Sequence, residues 1–354
     1  MKRIMVLCFF LLVLGYVLVT LLFSHTSRPY RVGAIYPMTG MASTMGSEFE
    51  RGVRLAISNA QQQGVDIELI VEDSKTEAKT AVSAYHALRA RGIDAVLTTV
   101  SGCASAIIPM AKIDGIVVFA DVAKPNITKE YENVFRHSST AEQEAEVILS
   151  HLKNNGSGKT LVCWMHDEYC LSLRDYLLSH GGDTVQFHDY AYDKEQNVET
   201  IVSKALTGQV FNAVVVIGFG SPLGNAIKAV REFGFKGDIL ANMGLTVTAD
   251  ARESAGEAIH GVFYTSMCFD RNDLEYVKYS SEFKTRYGTS PNDYSLLAYN
   301  SAVLLGKVAE KKLYDAGEAR LFLINLQSVQ SAGEKLTITS NRDILPPVVL
   351  SRYR

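Results

Sequence analysis

The 354-residue chain carries 35 Lys and Arg against 38 Asp and Glu, a net charge of −3, with 47% hydrophobic and 21% charged residues. That balance excludes a disordered or collagen-like chain, leaves no broad cationic field for a nucleic-acid backbone, and supplies enough apolar residues for two domains with cores of their own. Five cysteines, an odd number in a chain of this length, exclude a dense disulfide framework.

After Lys2 and Arg3, residues 4–23 run twenty positions without a charge. At about 1.5 Å per residue they make a helix of about 30 Å, enough to cross a bilayer core. The run ends in Ser24-His25-Thr26-Ser27, a poor cleavage site, and Cys8 lies too early in it to be a lipid-anchored cysteine. Segment 1–28 is therefore read as a signal anchor retained in the membrane in preference to a cleaved signal peptide, with Lys2 and Arg3 cytoplasmic. Under either reading the remainder is exported, to a periplasmic or extracytoplasmic location. Under the first it stays anchored in the inner membrane by residues 4–23.

The exported part alternates strand and helix. Residues 31–36 form a short β-type run closed by Pro37, and Phe49, Val53, Ala56, Ile57 and Ala60 follow at the spacing of one helical face. A strand at 67–71, a helix at 76–91, a strand at 95–100, a helix at 104–113 and a strand at 116–119 complete a β-α-β-α-β-α-β series. Such alternation predicts a parallel sheet with helices on both faces. A second series has helices at 140–153, from 169, at 195–206 and from 222, and strands at 161–164, 184–190, 213–217 and 239–240. Two α/β lobes in tandem are the simplest architecture. From about 267, two helical stretches rich in Tyr and Leu and two short strands, near 336–339 and 347–351, are too few for a third domain and complete the first two.

Several apparent catalytic motifs fail on context. Gly156-Ser157-Gly158-Lys159-Thr160 resembles the end of a phosphate-binding loop, but Lys153 stands where that motif needs glycine, and the segment runs from helix into strand. Gly218-Phe219-Gly220 follows a strand and opens a helix, yet the nearby acid, Asp238, falls at the wrong end of the next strand for a nucleotide ribose. His166-Asp167-Glu168, three adjacent loop residues, cannot converge on one atom without distant partners. Cys163 and Cys170 are either a disulfide or two buried thiols. No enzyme activity, cofactor, metal or nucleic-acid partner is expected.

In an open parallel sheet, ligands sit beyond the carboxyl ends of the strands. Ser101 and Gly102 precede a helix there and offer a hydroxyl and free N–H groups at a positive dipole end, suited to a carboxylate, although the same serine also suits an N-cap. Tyr169, Phe219 and Met243 follow successive strands of the second lobe in the same way.

At these residues a resemblance emerges. The opening Val32-Gly33-Ala34-Ile35-Tyr36-Pro37-Met38-Thr39-Gly40, Glu72-Asp73-Ser74, the helix around Pro109, His166-Asp167-Glu168-Tyr169 and the stretch 229–235 are together similar to type I periplasmic solute-binding proteins of the branched-chain amino-acid-binding (Leu/Ile/Val-binding) family of ABC transporters. The resemblance implies two Rossmann-like lobes joined by three crossovers near 139, 266 and 332, with lobe 1 at 29–139 plus 267–331 and lobe 2 at 140–266 plus 332–354. It implies hinge-like closure on a small-molecule ligand (an amino acid, amide or organic acid) and delivery to an ABC permease. A tethered ligand-sensing or interaction domain contacting a membrane partner is the alternative. The site it implies comprises Met45, Ser101, Gly102, Cys103, Val122, Ala123, Lys124, Tyr169, Phe219 and Met243. Met243 stands where amino-acid binders place an acid for the ligand ammonium, and Asp121 lies close enough to Lys124 for the two to neutralise each other. With Lys124 beside Ser101, the expected ligand is a carboxylate with an apolar body in preference to a free α-amino acid.

Overall fold

The computed structural model describes residues 28–40, 42–156, 158–193, 198–247 and 249–354. The apolar run 4–23 lies outside them, and no helix among the described residues is long and apolar enough to cross a membrane.

Five strands open the chain: β1 (Tyr30–Tyr36), β2 (Ile67–Asp73), β3 (Ala95–Thr99), β4 (Val117–Asp121) and β5 (Val134–His137). A second five follow: β6 (Lys159–Met165), β7 (Gln186–Tyr192), β8 (Ala213–Ile217), β9 (Asp238–Ala241) and β10 (Phe263–Met267). The chain ends with β11 (Val329–Ser331), β12 (Glu334–Leu336), β13 (Asp343–Ile344) and β14 (Val348–Arg352). Two six-stranded sheets result, ordered β13-β5-β4-β3-β1-β2 and β14-β10-β9-β8-β6-β7, and β11 and β12 form a separate antiparallel hairpin. In β3, β4 and β8 every residue is buried, because helices cover both faces and no position turns to water. That is why these strands read as unbroken apolar runs.

The first lobe's core also needs the late helices. The spaced residues Phe49, Val53, Ala56 and Ile57 are buried on the helix Ser43–Gln62, which packs against the helix Asp293–Glu310. Asn292 starts that second helix by accepting the N–H groups of Tyr294 and Ser295. Three helices follow residue 267, at Leu274–Tyr287, Asp293–Glu310 and Ala316–Asn325, where the sequence pattern gave two.

The chain crosses between lobes at 138–140, 268–273 and 345–347. The third crossing was expected near 332, with everything after it in lobe 2. Instead β13 joins the first sheet beside β5, and only β14 belongs to the second. Burial explains the placement. Asp343 accepts from Arg136 and from the Thr128 hydroxyl inside lobe 1, and the Arg136–Asp343 ion pair, at 2.9 Å, is almost wholly buried. A two-residue strand carries no periodicity from which this could be read. The edge strand β14 pairs antiparallel with β10, so the second sheet is not wholly parallel. Cys163 and Cys170 are free, buried thiols.

Candidate ligand-binding cleft

The carboxyl ends of the two sheets face each other across a cavity of about 120 Å³. Lobe 1 supplies Ala42, Met45, Thr76, Thr99, Val100, Ser101, Asp121, Val122, Ala123 and Tyr294, and lobe 2 supplies Asp167, Tyr169, Phe219, Met243 and Gly244. Ser138, in the first crossing, completes the wall. Seven of the ten residues anticipated from sequence lie in it: Met45, Ser101, Val122, Ala123, Tyr169, Phe219 and Met243. Gly102, Cys103 and Lys124 do not. Cys103 is buried behind the wall, where desolvation pushes its thiol up to about 11.

Lys124 departs most from expectation. Its ammonium lies 2.6 Å from Glu168 Oε1, across the cleft in lobe 2, and donates to Ser105 Oγ at 2.9 Å. The positive charge expected beside Ser101 is therefore spent on a bridge at the rim, and it neutralises neither a ligand nor Asp121. His166-Asp167-Glu168 likewise separate: His166 is exposed against Asp193, Asp167 caps its own helix through the Tyr169 N–H, and Glu168 reaches Lys124.

Ser101 begins the helix Ser101–Ile113, but Val100, not Ser101, occupies the N-cap position, and no side chain caps this terminus. Val100 adopts a φ of 66°. A β-branched residue in that region costs about 1–3 kcal/mol and persists only where its surroundings impose it. Here the strained turn brings a helix terminus with partial positive charge to the cavity.

The lobe 2 wall hangs on one buried acid that sequence reading did not single out. Glu144, fully buried on the helix Ala141–Asn154, accepts from the Tyr169 hydroxyl at 2.7 Å, the Thr265 hydroxyl at 2.6 Å and the Met243 N–H at 3.1 Å. Asn242 extends the network, donating to Tyr169 Oη at 2.9 Å and accepting the Gly218 N–H at 3.0 Å. Tyr169 thus directs its hydroxyl into lobe 2. Gly244 lies so close to Gly218 that an added Cβ would stand 1.9 Å from the Gly218 carbonyl oxygen. This close approach accounts for the glycine at position 244, and an added Cβ at Gly218 would run into the Tyr192 hydroxyl, which accounts for that glycine without any nucleotide. Glu144 shares the helical face of Ala141, Ala145 and Ile148, so an acid within an apolar stripe was the available signal.

On the lobe 1 side, Asp121 Oδ1 accepts from the Ser301 hydroxyl at 3.1 Å. Ser301 Oγ lies 3.0 Å from His137 Nδ1, and His137 Nε2 lies 2.8 Å from Glu334 Oε1. Desolvation pushes Asp121 up to about 7, partly opposed by His137 and Ser301. For His137 desolvation acts downward, but Glu334 and Asp121 outweigh it and raise the imidazole above its ordinary value.

Two lobes joined by three crossings, with a cavity walled by both, form a cleft of the kind found in two-lobed solute-binding proteins. The chain belongs to the periplasmic binding protein family, whose sequence profile matches residues 29–330. Within it the chain is a type I periplasmic binding protein of the branched-chain amino-acid family. It is 25% identical to Leu/Ile/Val-binding protein homolog 3 of Brucella melitensis over 61% of this chain, a match that spans 62% of that relative's length. The fold is similar to the branched-chain amino acid transporter substrate-binding protein LivJ of Streptococcus pneumoniae, solved with isoleucine, at a TM-score of 0.82 and 16% identity over 92% of this chain and 97% of that one. It is also similar to an ABC-transporter solute-binding protein of Rhodopseudomonas palustris, solved with 3,4-dihydroxybenzoic acid, at a TM-score of 0.78 and 17% identity over 92% of this chain and 93% of that one.

Replacing Glu144 by Ala leaves the fixed Met243 N–H and two hydroxyls without their acceptor. It should lower the unfolding free energy by about 3 kcal/mol or more, read from urea denaturation. Burial outweighs the three hydrogen bonds and raises the Glu144 carboxyl above its ordinary value. Its contribution is therefore fullest below the unfolded glutamate range and declines as pH rises through the raised folded value, so the deficit of the variant should narrow with rising pH. A loss below about 1 kcal/mol would contradict this role.

Proposed function

We propose that the protein is an exported solute receptor that closes its lobes on a small, carboxylate-bearing ligand with an apolar body and delivers it to an ABC permease. The observation that carries this reading is the interlobe cavity itself, mostly apolar and holding the uncapped terminus at Ser101 in its wall. A ligand carboxylate meets that terminus, and its apolar body packs on Met45, Phe219, Met243 and the Tyr169 ring. Isoleucine and dihydroxybenzoate in the fold relatives, both apolar-bodied carboxylates, support the ligand class. The reading is one of binding and not catalysis: of the cavity's two acids, Asp167 is engaged in capping a helix, and the hydroxyl that Asp121 meets, that of Ser301, is fully buried and not part of the cavity wall.

A thermal-shift screen of the protein against amino acids, amides, short peptides and aromatic acids tests the reading. A true ligand at 100 times its dissociation constant stabilises the fold by about 2.7 kcal/mol. Stabilisation by carboxylates is expected, and a screen in which no carboxylate shifts the midpoint would count against the assignment.

Residues 4–23 further support a tether holding this receptor at the inner membrane in its extracytoplasmic compartment. The same run favours the alternative of a tethered sensory domain, since a freely diffusing carrier needs no anchor. Sequencing the mature N-terminus decides the tether: an intact N-terminus in the membrane fraction is expected, and a mature chain starting between about residues 24 and 30 rejects it.

A further inference from the structure

The three crossings are tied to one another. Backbone bonds join the first to the third, from the Ser138 N–H to the Ile344 carbonyl, and the second to the third, from the Cys268 N–H to the Pro347 carbonyl. The first and second are joined through the β11–β12 hairpin. At its turn, Gly333 accepts the Asp270 N–H at 2.9 Å and donates its own N–H to Asp273 at 3.2 Å, both residues of the second crossing. The next residue, Glu334, lies 2.8 Å from Nε2 of His137, the last residue of β5 before the first crossing.

His137 belongs to a chain of three hydrogen bonds, Asp121 to Ser301, Ser301 to His137 and His137 to Glu334. Three bonds need three hydrogens. Ser301 and a neutral imidazole supply one each, so the chain is complete only when Asp121 and His137 hold one further proton between them. Either His137 is an imidazolium donating from both nitrogens, or each hydrogen has moved one place and a protonated Asp121 donates to Ser301 and Ser301 to His137 Nδ1. Both arrangements carry the same net charge. When the shared proton leaves for solvent, one of the three bonds must fail. Asp121 is 4% exposed and its Oδ2 has no partner among the described residues, so losing Ser301 would leave a bare buried carboxylate. Glu334 is partly exposed and keeps the Asn300 amide at 2.8 Å, so the bond to His137 is the one released, with the imidazole hydrogen held on Nδ1 against Ser301.

We propose that Asp121, Ser301 and His137 share one proton that stiffens the hinge: while it is bound, His137 holds the first crossing to the hairpin that carries the second, and when it leaves, the two crossings uncouple. The surrounding charges are committed elsewhere. Arg136 on β5 pairs with Asp343 on β13, and Lys124 beyond β4 pairs with Glu168. Tyr36 on β1 also feels the charge of Asp121, and the Leu297 backbone favours the charged imidazole. Burial raises Asp121 to about 7. It acts downward on His137, but Glu334 and Asp121 outweigh it and raise the imidazole above its ordinary value. Burial acts upward on Glu334, but His137 and Asn300 hold that carboxyl below its ordinary value. The coupling is therefore present below the ordinary histidine range, with Glu334 charged, and is lost as pH rises through the raised His137 value. This goes beyond the solute-receptor reading and holds whatever the ligand.

Nitrogen NMR of the histidines in the ligand-free, full-length protein, with exchange rates of the Ser138 and Asp270 amides corrected for the intrinsic effect of pH, tests this. His137 should titrate above the ordinary histidine value and carry its hydrogen on Nδ1 above that midpoint. Protection of the two amides should fall about tenfold across it. In Asp121→Asn the side-chain amide supplies the third hydrogen permanently, so protection should keep its low-pH level throughout and the His137 midpoint should drop by about one unit or more. Glu334→Gln supplies it from the other end of the chain and should do the same, whereas Glu334→Ala should show low protection at every pH. A His137 midpoint at or below the ordinary value, or equal protection on both sides of the midpoint in wild type, overturns the proposal. Wild-type pH dependence surviving in the two amide variants overturns it as well. Because no ligand enters these measurements, their failure leaves the receptor reading standing.

Discussion

Three chain crossings, at 138–140, 268–273 and 345–347, hold two sheets so that their carboxyl ends face one another. Everything at the cleft depends on that constraint. In a parallel sheet the carboxyl ends carry helix starts and turns whose N–H groups and side chains are not used by the ladder, and opposing two such ends concentrates them around one space. The crossings also take part in the site: Ser138 lines the cavity, and Ser139 directs its hydroxyl to the Met243 sulfur at 3.7 Å. Met243 itself, carried by lobe 2, packs into the apolar cluster of lobe 1.

The charges divide the cleft into a rim and a floor. At the rim, Lys124 and Glu168 join the lobes through a half-buried ion pair, a contact worth at most about 1 kcal/mol and easily opened. Behind the lobe 2 wall, Glu144 is fully buried and fully hydrogen-bonded, so it fixes Tyr169 and Met243 rigidly. On the lobe 1 floor, Asp121 connects through Ser301 and His137 to Glu334 in β12, just beyond the hairpin turn. A weak clasp over two rigid walls is what the proposed opening and closing of the cleft would require. Strain at Val100 belongs to the same design, since the wall must hold a turn that the residue alone would avoid.

The two lobes were legible because β3, β4 and β8 are continuous apolar runs separated by amphipathic helices, and Ser101, Tyr169, Phe219 and Met243 were legible as lining the cavity because they fall at strand ends. The unread features share a physical origin in contacts distant along the chain. Glu144 meets Thr265, 121 residues away, and Asp343 meets Arg136, 207 residues away. Neither partnership leaves a local pattern. Lys124 was placed at the correct loop but given the wrong partner, because adjacency to Asp121 in sequence says nothing about Glu168 approaching from the other lobe. A cap preference suggested Ser101 as N-cap, whereas the backbone turns one residue earlier, at a valine that sequence rules disfavour there.

The central claim is that ligand is held between the lobes and not on either alone. Solution X-ray scattering of the protein, with and without a saturating ligand taken from the stability screen, tests it most directly. Closure of the cleft predicts a smaller radius of gyration in the bound state, reversed when the ligand is removed. An unchanged profile at saturation would contradict a hinged receptor.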